Sequence, residues 1–179
     1  MQVCNSALPL SMKKIIDSVY NSLENENWYA ALFVALTLPD ICAALKAGKT
    51  SGEKYAGWFE KNLSQYKGFL SGNDCYALRC ALLHSGKDDI SDQRKREVLE
   101  HCVFLTKGAH CNLFKDCVFN GEKKSFLQLN IQTFCKDICK AVENWLVSMR
   151  SNLLVQERLK TTIEIHEPGY SYKGLIRFV

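Results

Sequence analysis

Most of what this sequence lacks excludes a function class. It has only three prolines and ten glycines in 179 residues, and no low-complexity run, which excludes a disordered or collagen-like chain. No segment recurs at a period of roughly 20–50 residues, so a repeat architecture is excluded. There is no Gly-x-Ser-x-Gly, no His-Glu-x-x-His and no glycine-rich nucleotide fingerprint, which argues against the nucleophile, zinc-protease and dinucleotide chemistries those patterns carry. Cys-x2-Cys knuckles are absent too, so no zinc ribbon is expected. No basic–apolar–small leader follows Met1, and a cytoplasmic location is expected. The longest apolar stretch, Tyr29 to Leu45, is interrupted by Thr37, Pro39 and Asp40. It is expected to be too short and too broken to span a membrane.

What is present is an ordinary folding composition, 47% apolar and 23% charged. The length suits one domain over 1–179 with a sizeable core. A net charge of +4 is compatible with an anionic partner but does not demand one. The nine cysteines are odd in number and several fall inside apolar periodic stretches, which fits buried reduced thiols better than a disulfide framework.

Apolar periodicity predicts a mainly α, α+β bundle of about five helices. Residues 1–10 read as a loose arm. Ile15, Ile16, Val19, Tyr20 and Leu23 form a helical stripe, with Ser11 as its N-cap. Trp28, Ala31, Leu32, Ala35 and Leu36 start a second helix, which Pro39 should end or kink before helix resumes to Lys46. The Gly48-Lys49-Thr50 triplet that follows is not a phosphate loop. Ala43 stands where its first glycine belongs, and a helix precedes it, not a strand. Residues 53–63 make a third helix. A fourth begins at the cap-rich Ser71-Gly72-Asn73-Asp74 and ends at Ser85-Gly86. After a charged linker, a β-rich insertion at about 98–129 is expected as a small antiparallel sheet, with Asn120-Gly121 as a hairpin turn. One long helix, 130–159, should follow, and then a C-terminal arm, 160–179.

The stretch that can carry chemistry is the fourth helix, Tyr76-Ala77-Leu78-Arg79-Cys80-Ala81-Leu82-Leu83-His84-Ser85-Gly86. A guanidinium in so apolar a helix needs an anionic partner or a polar cleft. His84 lies in the last turn, and histidine is the side chain suited to giving or taking a proton near neutral pH. Arg96 and His101 repeat the Arg-x4-His spacing, but Arg96 belongs to a charged, solvated run, so that match reads as chance. The Arg79/His84 helix also allows a purely structural reading, with Arg79 paired to Asp40 or Asp74 and His84 capping the helix end.

An Arg-x4-His motif on a central helix of an all-α bundle resembles the HEPN superfamily. The resemblance covers the four expected helices 11–25, 28–47, 53–64 and 130–159 besides the motif helix, and leaves out the hairpin and the tail. It implies a metal-independent endoribonuclease, often a toxin or defence effector, whose site is composite across a homodimer. His84 would move the proton at the ribose 2′-OH or the leaving oxygen, and Arg79 would stabilise the phosphate. Cys80, Asp74 and Lys87 complete the expected site as substrate-binding residues. RNA, a second copy and an antitoxin or other protein are the implied partners; neither metal nor cofactor is expected. The chain departs at one position: active members usually carry a polar residue directly after the arginine, where this chain has Cys80. That leaves a non-catalytic interaction or sensor domain as the competing reading.

Three other patterns are weaker on the residues alone. His101-Cys102, His110-Cys111 and Cys117 lack recognisable zinc spacing. Cys80 and His84 are four apart, but a Cys–His dyad would have to work from a helix interior. Lys49, Lys54, Tyr55, Trp58, Lys61, Tyr66 and Lys67 mix base with aromatic, yet the spacing of Tyr55, Trp58 and Phe59 is that of core.

Overall fold

The computed structural model describes residues 8–92, 97, 99–172, 176 and 177. Its order is α1 (Leu10–Glu24), α2 (Trp28–Ala47), α3 (Gly52–Asn62), a 3-10 turn (Ser64–Tyr66), α4 (Gly72–Ser85), β1 (His101–Leu105), β2 (Asn112–Phe119), β3 (Glu122–Asn130), α5 (Ile131–Ser148), α6 (Leu153–Leu159), β4 (Ser171–Tyr172) and β5 (Ile176–Arg177). This is a mainly helical α+β protein. Six helices are described, and a small sheet is inserted before the long α5.

α2, not α4, is the central helix: it packs against α1, α3, α4, α5 and α6. It is apolar nearly all round, as a helix enclosed by others must be. By length and composition it could also cross a membrane, but 56% of that window is buried among its neighbours, the position of a core helix. Asn27 caps its start by accepting from Ala30 N–H, and Gly48 ends it in the left-handed region. Pro39 lies within it, so the helix does not end there but runs on to Ala47. The residues after Pro39 bury Cys42 and Leu45 in the core, and that packing offsets the proline penalty of about 3 kcal/mol. In α1 the cap is Pro9, not Ser11. Pro9 has extended ψ and its carbonyl accepts from Lys13 N–H at 2.9 Å, while Ser11 is buried inside the first turn. The remainder of the 1–10 arm, residues 1–7, lies outside the described residues.

The sheet has the order β1-β3-β2. The hairpin forms at the expected turn, where Asn120 (φ 51°) and Gly121 (φ 81°) both take the left-handed conformation that joins β2 to β3. The sheet is mixed, however, because β1 pairs with β3 in parallel. The chain runs up β1, comes back down β2 on the far side of β3, and so enters β3 in the direction of β1. β2 thereby serves as the return crossover that a parallel pair requires.

The expected 130–159 helix is two helices. α5 stops at Ser148, and α6 starts afresh at Asn152, whose side chain accepts from Val155 N–H at 3.1 Å. The apolar stripe continues across the break, so periodicity alone does not reveal it. In the arm, 162–165 forms no strand; a short antiparallel pair, β4–β5, appears after the Glu167–Tyr170 turn.

Candidate functional site

α4 is fixed at both ends by side-chain and backbone chemistry. Ser71 Oγ accepts from Asp74 N–H at 3.0 Å, and Gly86 (φ 64°) closes the helix. Gly72 lets α4 approach α3: a Cβ there would lie 2.3 Å from the Ala56 carbonyl oxygen. These contacts set the height and rotation at which Arg79 emerges.

Arg79 faces α2. Its Nε lies 2.8 Å from Asp40 Oδ2, with the two side chains 22% and 12% exposed. The contact is ionic; Arg79 Nε and Asp40 Oδ2 are both buried and their alignment gives no regular hydrogen bond. Partial burial opposes the guanidinium charge, but the Asp40 carboxylate and the neighbouring Cys80 outweigh it, so the pKa of Arg79 rises. The other end of the guanidinium points outward. Nη1 lies 3.4 Å from Nε2 of the exposed His84. On an ideal helix five steps place these residues about 140° apart; the reach of the arginine closes that angle. Arginine carries donors only. A hydrogen bond here therefore makes Nε2 the acceptor and puts the ring proton on Nδ1, which is imidazole in its base form.

The other expected residues divide. Cys80 is half-buried beside Arg79 and contacts Tyr76, whose phenol pKa is raised by burial and then by that thiol. Lys87 is exposed just beyond the helix end, its N–H reaching back to Ala81 O at 3.3 Å. Asp74 stands apart from the pair. It is 1% exposed, accepts from Ser71 Oγ at 3.0 Å and from Glu97 N–H at 2.7 Å, and so holds the Ser71 cap in place and anchors the following chain. It borders a cavity of about 650 Å3, lined by Phe59, Leu63, Phe69, Leu70 and Leu113 among others, to which neither Arg79 nor His84 contributes.

The weaker patterns resolve as follows. His101 stacks on Phe126 at 5.1 Å and faces Asp89 at 3.9 Å; Arg96 lies outside the described residues. Among the described residues no group of three or more His, Cys, Asp or Glu side chains is placed to hold a metal. Tyr55, Trp58 and Tyr66 are core. Eight free thiols are described, five of them buried, and no disulfide joins them.

Two features lay beyond the sequence. Thr50 donates to Asp40 Oδ1 at 2.8 Å, and nothing local marks that partnership. Tyr66, His110 and Asp137 form a network between the sheet and the bundle: Tyr66 Oη lies 3.0 Å from His110 Nε2 and donates to Asp137 Oδ2 at 2.9 Å, while Asn130 N–H donates to His110 Nδ1 at 3.2 Å. No protein-family model, curated protein or solved structure matches this chain.

Proposed function

We infer that this is an HEPN-like domain that binds RNA phosphates at Arg79 and His84 and cleaves the strand without a metal, its site completed by a second copy. One observation carries the reading: a guanidinium anchored from behind by Asp40 presents Nη1 at 3.4 Å to Nε2 of His84, an exposed residue. That juxtaposes the two elements in-strand RNA cleavage needs. Once the phosphate replaces Nε2 as the partner of Arg79 Nη1, an unprotonated imidazole can take the 2′-OH proton at Nε2, and the fixed cation stabilises the charge developing on the phosphate. The anchor matters because a guanidinium already held in place loses little freedom when the phosphate arrives.

A second reading is favoured by the same carboxylate. Asp40 compensates Arg79 within one subunit, and Cys80 stands where active members carry a polar residue; both suit a non-catalytic interaction or sensor domain. Incubating RNA with the purified full chain in chelator separates the two. Cleavage by the wild type that is lost in His84→Ala and in Arg79→Ala supports the nuclease. Equal cleavage by all three proteins, or none by the wild type, removes it. The shared site makes a separate demand: light scattering at high concentration should report a dimer, and a strict monomer counts against the composite arrangement.

A further inference from the structure

The carboxylate that anchors Arg79 also anchors a loop. Asp40 Oδ2 faces Arg79 Nε at 2.8 Å, and Oδ1 accepts from Thr50 Oγ1 at 2.8 Å. One side chain on α2 therefore ties the guanidinium on α4 to the 48–51 connection. The loop has local reasons to keep its shape. It leaves α2 at Gly48 with φ 81°, and Ser51 closes it by capping α3, accepting from Lys54 N–H at 3.3 Å.

That loop carries charge. Lys54 Nζ donates to Lys49 O at 3.0 Å, and this carbonyl belongs to the peptide unit whose nitrogen is that of Thr50. The Lys54 ammonium is thus held one peptide away from the hydroxyl bound to Asp40. Lys49 leaves the same peptide on an exposed side chain. The positive end of the α3 dipole is offset by the exposed carboxylate of Glu53 in the same first turn, so the lysines carry the charge of the loop. Asp40 therefore links two basic groups: Arg79, with His84 beside it on α4, and the 48–51 loop, where Lys54 is held on Lys49 O and the Lys49 side chain is exposed.

We propose that the 48–51 loop with Lys54 is a second phosphate subsite, and that the ligand is a single-stranded polyanion placing one phosphate on Arg79 and the next on Lys49 and Lys54. The inference rests on the RNA reading above and deepens it. A mononucleotide has one phosphate position to offer and would use only the first group; two groups tied through one carboxylate select a ligand with repeated charge. The neighbouring aromatics, Tyr55 and Trp58, are buried and offer no face for base stacking. The loop grips backbone, and little base preference is expected. Its resemblance to a nucleotide-triphosphate loop is superficial, since the Thr50 hydroxyl is committed to Asp40.

The test is fluorescence anisotropy of the full-length protein with 2′-O-methyl oligoribonucleotides, which bind but cannot be cleaved through a 2′-OH. A labelled mononucleotide is compared with an octanucleotide of mixed sequence, in the wild type, Lys49→Gln/Lys54→Gln, Thr50→Val and Arg79→Ala. In the wild type, affinity should rise with length. The double lysine variant should lose about tenfold on the octanucleotide, nothing on the mononucleotide, and about 1.4 from the slope of log affinity against log salt. Thr50→Val, which keeps both lysines but frees the loop, should lose less on the same ligand. Wild-type octanucleotide affinity and salt slope in the lysine variant would overturn the subsite, while a loss in Arg79→Ala in the same series would still support the first site. If Arg79→Ala binds as the wild type does, the RNA reading itself fails. A wild type that binds neither ligand overturns both.

Discussion

Asp40 decides what Arg79 can be. A guanidinium in an apolar helix needs an anionic partner or a polar cleft, and on sequence Asp40 and Asp74 are both candidates for that partner. They have unrelated roles, because Asp40 faces α4 from α2 and pairs with Arg79, whereas Asp74 is turned back onto its own helix start and accepts from the Ser71 cap. Asp40→Asn should cost about 1–2 kcal/mol in urea unfolding, the usual penalty for orphaning a buried charge reduced for the residual exposure of the pair. A change below about 0.3 kcal/mol would mean that solvent already carries the pair. The motif residues were legible because spacing and cap chemistry are local. Thr50 was not, since a threonine in a polar turn looks the same whether or not a carboxylate waits across the gap.

Between elements, the α3–α4 crossing is the tightest constraint on the site. Gly72→Ala would drive a Cβ to 2.3 Å from backbone at Ala56, and backbone cannot swing aside as a side chain can. It should destabilise by about 2–3 kcal/mol. Gly86→Ala meets open space and has only the left-handed φ of 64° to contend with, so about 1 kcal/mol is expected. Urea midpoints of the two variants check the order, and a larger effect at Gly86 would contradict it. Elements were legible where their signals were short-range: Ser71, Gly86 and the Asn120-Gly121 turn all act where their chemistry predicts. Pro39 and the Met149–Asn152 break depart from their local signals for opposite reasons. At Pro39, burial on α2 overrides a local breaker. At the break, a local restart at Asn152 hides beneath an uninterrupted apolar stripe.

For the whole molecule, the question is what holds the sheet to the bundle. His110 sits at that junction with one ring nitrogen accepting from Asn130 N–H, beside Tyr66 on the 3-10 turn, Asp137 on α5 and the half-buried Cys111. Burial lowers its pKa below the ordinary 6.5, and Asp137 only partly opposes this. An N–H aimed at Nδ1 also favours the unprotonated ring. The unfolded chain therefore takes up the proton first as pH falls. The stabilisation is complete above about pH 6.5 and is lost as pH drops through the folded-state value, at no more than about 1.4 kcal/mol per pH unit. Urea midpoints at about pH 7.5 and about pH 5.5 should differ more in the wild type than in His110→Gln. Equal differences would show that the network does not couple to the proton.

The sequence by itself determined the helical class, the caps of α4, the hairpin turn, and a helix carrying both an arginine and a histidine. These follow from periodicity and turn chemistry, which act over a few residues. Tertiary structure decided the parallel β1–β3 register, the choice of Asp40 over Asp74, the tie from Arg79 through Asp40 to the 48–51 loop, and the histidine network under the sheet. Each of these joins residues far apart along the chain, and such a contact exists only once packing has set the distance and direction between its elements.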